Sequence, residues 1–86
     1  MNWCVYLLHC RGPRLYTGIT NNLDHRLSMH EAGKGSKFVR AFGPFTLAGV
    51  IRCENEHEAR TLESRIKKMS RAEKLALMKL ASPEPS

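Results

Sequence analysis

Two short runs of strand-forming residues, Asn2 to His9 and Arg14 to Ile19, are separated only by Cys10-Arg11-Gly12-Pro13. Glycine and proline punctuate a chain at turns, so the two runs are read as an antiparallel hairpin. This constrains the fold more than anything else in the sequence, because side chains alternate faces along a strand. Cys4, Tyr6 and Leu8 must share one face of the first strand, and Tyr16 and Gly18 one face of the second. If Tyr6 lies opposite Tyr16 or Gly18, both tyrosines emerge on the same side. A slip of one residue separates them. The hairpin belongs to a chain of 86 residues, enough for one domain with a modest core. The rest of the chain must therefore cover it.

The remaining elements are read from caps and periodicity. Asn21 or Asn22 is a helix N-cap, and the helix runs from about Leu23 to Ala32 with Gly33 as its C′ residue. Residues Gly33 to Pro44 read as a loop tacked to the core by Phe38, Val39 and Phe42. A third strand runs from Phe45 to Arg52. A second helix starts near Asn55 or Glu56, where Glu56 and Glu58 suit the positive end of its dipole. Its apolar stripe is Ala59, Leu62, Ile66 and Met69. Ser70-Arg71-Ala72-Glu73 matches a capping box, so a further helix begins there and runs to about Leu80. The expected fold is α/β (α+β): a small, three-stranded, mainly antiparallel sheet flanked by helices in the order β-β-α-β-α-α. Residues 1–81 form a single domain. Ser82 to Ser86, with two prolines in five residues, read as a disordered tail.

The three cysteines are odd in number and lack C-x-x-C spacing. They read as small buried hydrophobes in a reducing, cytoplasmic compartment and not as a disulfide framework or zinc site. No stretch is long or apolar enough for a transmembrane helix. The N-terminus lacks the basic region and cleavage site of a signal peptide. The net charge of +6 favours phosphate-rich partners, and no acid interrupts the stretch from Lys34 to Arg40.

Several residues have two readings. Tyr6 and Tyr16 are either a cross-strand pair that only packs, or two close phenols with chemistry to do. Arg26 and His30 are four apart, on one helical face, either as ordinary surface groups or as parts of a site. Glu63 borders the apolar stripe of its helix. It either pairs with Lys67 one turn on or presents a carboxylate to a metal. His9, His25 and His57 have no evident role.

These residues carry a resemblance. Cys4-Val5-Tyr6 with Tyr16-Thr17-Gly18 resembles the motif of the GIY-YIG endonuclease superfamily. Arg26 matches the arginine of that family's first helix, and His30 a histidine found in a number of members. Glu63, within EARTLESRIKKM, matches its metal-binding glutamate. The likeness spans roughly residues 2 to 80. It is similar above all to the short stand-alone bacterial members, the YhbQ-like group, which share a stretch like that from Ile66 to Leu75. Cys4, Val5 and Thr17 depart from the motif's letters. Ile19 stands where many members carry lysine, and Leu75 where some carry asparagine.

The resemblance implies a metal-dependent endonuclease that hydrolyses phosphodiesters in nucleic acid, DNA more than RNA, with a role in repair or processing. Glu63 would hold Mg2+ or Mn2+. Arg26 would neutralise phosphate charge, Tyr16 would orient or deprotonate the attacking water with Tyr6 beside it, and His30 would accept a hydrogen bond from a tyrosine or share its proton. Gly18 would leave room for close approach of substrate. Lys34, Lys37 and Arg40 would contact backbone phosphates, which position a strand without reading sequence. The sequence shows no recognition helix, zinc finger or stacking platform, so low sequence specificity is expected. A monomer is favoured. The alternative is a nucleic-acid-binding module of the same fold without catalysis.

Overall fold

The computed structural model describes residues 2–80; the tail from Ser82 to Ser86 lies outside them. The hairpin forms as expected from β1 (Trp3–His9) and β2 (Leu15–Thr20). Gly12 turns the chain in the left-handed region, φ 69°, where a side chain would be strained. After α1 (Leu23–Glu31) and α2 (Lys37–Phe42) comes β3 (Thr46–Cys53), then α3 (Glu56–Lys67) and α4 (Arg71–Leu80). The strand order is β2-β1-β3, all antiparallel. The expected order of elements holds with one correction: the segment read as a loop contains α2. Ser36 caps this short helix by accepting the Phe38 N–H at 3.0 Å.

Both faces of the sheet are covered, so β1 is buried along its middle. Val5 and Leu7 face a core with Ala59 and Ile66 of α3, joined by Leu62, Met69, Leu75 and Leu77. Tyr6 and Leu8 face a second core with Cys10 and Val39, joined by Leu23, Leu27, Phe42 and Phe45. The three thiols are free and buried, as small hydrophobes would be. A register shift between Leu7 and Leu8 makes Ala48 the extra residue of β3. That bulge lets Leu47 and Val50 both join the second core, although strict alternation would part them.

The caps hold the layers in place. Asn22 accepts the His25 N–H at 3.1 Å and fixes the start of α1. Asn55 accepts the Glu58 N–H at 2.8 Å for α3. Ser70 and Glu73 form the expected reciprocal box, at 2.8 and 3.1 Å. Arg11 ties α2 to the hairpin: its backbone N–H donates to the Phe42 carbonyl at 2.7 Å, and its guanidinium to that of Gly43 at 3.0 Å. These are carbonyls that a helix end leaves without partners.

Candidate active site

The hairpin register pairs Tyr6 with Gly18 and Leu8 with Tyr16. Tyr6 and Tyr16 therefore share the face covered by α1 and α2, with ring centroids 6.2 Å apart. Gly18 is buried between them. A Cβ at Gly18 would stand 2.5 Å from the Tyr6 hydroxyl oxygen and 3.0 Å from the Tyr16 ring. The close approach expected at this glycine is thus made by the Tyr6 phenol.

α1 brings two more groups to the phenols. The buried His30 places Nε2 2.9 Å from the Tyr6 hydroxyl. The Ser36 N–H points at Nδ1 from 3.4 Å. Nδ1 is therefore the acceptor, and a neutral ring carries its proton on Nε2, where it donates to Tyr6, the reverse of the acceptor role expected of it. Burial, then the Arg26 charge, pushes the His30 pKa below its usual 6.5, which keeps the ring neutral at neutral pH. The His30 ring also meets Tyr16 edge-on at 5.5 Å. Gly35 is what lets the loop close over it, because a Cβ there would collide with the imidazole. Sequence reasoning passed over Gly35, whose only signal was a second glycine two residues after the helix-ending Gly33.

Arg26 Nε donates to the same Tyr6 oxygen at 3.4 Å. Tyr16 lies close enough for its charge and hydrogen bonding to raise the Arg26 pKa as well, after Tyr6. Among the described residues no carboxylate pairs with Arg26. A half-buried cation beside two phenols, with no acid to neutralise it, is a place that favours an anion. Burial pushes the Tyr6 pKa up to about 12, against the opposing pull of Arg26, so Tyr6 keeps its proton at neutral pH.

The fifth expected residue lies on another helix. Glu63 is on α3, in the opposite helical layer, which packs across the edge strand β2 as well as β1 and β3. It is paired with Lys67 at 3.3 Å. No hydrogen bond or ion pair joins it to the other four among the described residues. Nor do these include a cluster of three or more His, Cys, Asp or Glu side chains able to hold a metal. A lone carboxylate suits Mg2+ or Mn2+, which take most of their coordination from water and phosphate, and does not suit zinc.

Lys34, Lys37 and Arg40 lie on α2 and the loop before it, and all three are exposed. Their helix also carries Phe38, expected to tack this segment to the core. Val39 and Phe42 do pack inward, but Phe38 is exposed and stacks on Tyr16 with centroids 5.9 Å apart and planes 28° from parallel. Behind His30 a cleft of about 390 Å³ opens between α1 and the start of β3, lined by Glu31, Arg40 and Phe45 among others.

Comparison with known proteins places the fold in a family. The family model described as the GIY-YIG catalytic domain matches residues 2–76. A UPF0213 protein of Oceanobacillus iheyensis is 51% identical over 80 residues, covering 93% of each chain. One from Cupriavidus pinatubonensis is 41% identical, covering 95% of this chain and 92% of its own. The solution NMR structure of the UPF0213 protein BH0048 from Bacillus halodurans superposes with a TM-score of 0.61 at 38% identity. It covers 96% of this chain, and the match spans 89% of that one.

Proposed function

The chain belongs to the GIY-YIG family, and from that premise we propose that it is a metal-dependent endonuclease hydrolysing phosphodiester bonds in nucleic acid. The observation that carries this reading is the cluster of Tyr6, Tyr16, His30 and Arg26, with which no carboxylate among the described residues pairs. DNA is the favoured substrate, sequence specificity is low, and repair or processing is the favoured role.

The difficulty of the reaction is charge: a nucleophile must approach an anion, and an alkoxide must leave. Arg26 binds a non-bridging phosphate oxygen with the guanidinium nitrogens that Tyr6 does not use, and so neutralises charge that grows in the transition state. Tyr16, half-buried at the mouth of the cluster, orients the attacking water. Tyr6 is the wrong group to remove a proton, because burial pushes its pKa up to about 12. Its place is behind Tyr16, where it accepts from His30 and Arg26 and fixes both. Glu63 would hold Mg2+ or Mn2+, and the bound ion would stabilise the leaving oxygen. There it would compete with Lys67 for one of the two Glu63 oxygens.

The test is cleavage of single-stranded, nicked and branched DNA with and without Mg2+, using wild type beside Glu63→Ala and Arg26→Ala. Metal-dependent cleavage lost in both variants supports the proposal. Equal cleavage by all three proteins would refute it. A second reading, a binding module without catalysis, is favoured by the Lys67 pairing that occupies Glu63. It predicts salt-sensitive DNA binding that survives Glu63→Ala, with no cleavage by wild type.

A further inference from the structure

α2 is anchored through Val39, only 2% exposed, and through Phe42. Phe38 is next to Val39 and so lies about a quarter-turn round the helix. It is 37% exposed, the one large hydrophobic side chain left open among the described residues. One neighbour of the ring is Tyr16, nearly parallel to it; another is Phe42, with centroids 5.0 Å apart. Arg14 lies over the Phe42 ring at 4.1 Å, so an aromatic row runs from the Tyr16 phenol to a cation. Lys34, Lys37 and Arg40 flank it, and α2 has no acid in its first turn. An open aromatic ring among cations, touching a residue of the phosphate site, has the two features that hold an unpaired nucleotide: a flat apolar surface and charge for the adjoining phosphates.

We propose that Phe38 is a base-stacking residue, receiving the face of an unpaired nucleobase beside the phosphate bound at Arg26. This rests on the nucleic-acid reading above and adds to it the residue that sets which nucleotide sits at the site. A base within a duplex has both faces covered, so the base at Phe38 is one displaced from pairing. Phe38 would act by positioning the strand and not by touching the reacting atoms.

The experiment measures fluorescence anisotropy of labelled single-stranded oligonucleotides without divalent metal, so that nothing is cut. An abasic site is walked along the strand one position at a time. Phe38→Ala should weaken binding by about tenfold or more without changing its salt slope. Lys37→Gln should lower the slope instead. At one position the abasic site should weaken wild type but not Phe38→Ala, since the stack is already lost. Phe38→Trp should bind like wild type, and its added indole should be quenched on binding. Phe38→Leu, which keeps bulk without a flat face, replaces the alanine variant if that one melts at low temperature. Wild-type affinity in Phe38→Leu, or an equal loss at every abasic position in both proteins, overturns the proposal while leaving the nucleic-acid reading standing. Absence of any binding by wild type at low salt overturns both.

Discussion

A methyl group added at Gly18 would meet the Tyr6 hydroxyl at 2.5 Å, and one at Gly35 would meet the His30 ring. The Tyr6–His30 hydrogen bond is thus enclosed by two absent side chains, one on β2 and one on the loop after α1. Overpacking of this kind typically costs about 1–3 kcal/mol. Gly18→Ala should therefore lower the melting temperature by several degrees, read by circular dichroism, and should displace Tyr6 enough to lower cleavage. The burial of His30 beside the Arg26 charge also makes stability depend on pH. Folded His30 has a pKa below 6.5, so the unfolded chain binds its proton first as pH falls. The contribution is complete above about 6.5 and is lost as pH drops toward the folded value. Melting curves between about pH 7.5 and 5.5 should show stability falling on the acid side, with a shallower fall in His30→Gln. Alternation made the pair of tyrosines depend on the hairpin register, which places Gly18 opposite Tyr6. The tautomer of His30 was not legible, because it is set by the Ser36 N–H, which only the folded loop brings to Nδ1.

At the scale of elements, most of the chain was readable because its caps are local. Asn22, Asn55 and the Ser70–Glu73 box each satisfy backbone groups within a few residues, so the signal sits in the sequence itself. Ser70→Ala should cost about 1 kcal/mol, measured by urea unfolding, with little effect on the slope. α2 was missed because six residues are too few to show a helical period, and because Gly33, Gly35 and Pro44 around it signal a loop. What ties the helix down, the bond from Arg11 to the Phe42 carbonyl, joins segments far apart in the chain and could not be seen. The exposure of Phe38 was hidden for the same reason: an aromatic residue beside a buried valine reads as core until the helix axis is known.

Across the whole molecule, the basic surface should govern affinity. Replacing Lys34, Lys37 and Arg40 together by glutamine should reduce the slope of log affinity against log salt by about 2 to 3. Folding should be little affected, because none of the three is buried. The overall fold was legible from alternation, helical spacing and caps, whereas the five site residues were grouped by the family resemblance, since helical spacing alone puts only Arg26 and His30 on one face. The layer that carries Glu63 was not legible, because spacing along α3 does not say on which side of the sheet that helix packs. The strand order β2-β1-β3 has a consequence for how the chain is made. β1 leaves the ribosome before either neighbour, and β2 can zip onto it soon after. The opposite edge of β1 then waits, with its amides and carbonyls bare, until Thr46–Cys53 has been synthesised. During that interval the nascent chain is a two-stranded ribbon with one sticky side, and a ribosome stalled before β3 would present it to any other strand nearby.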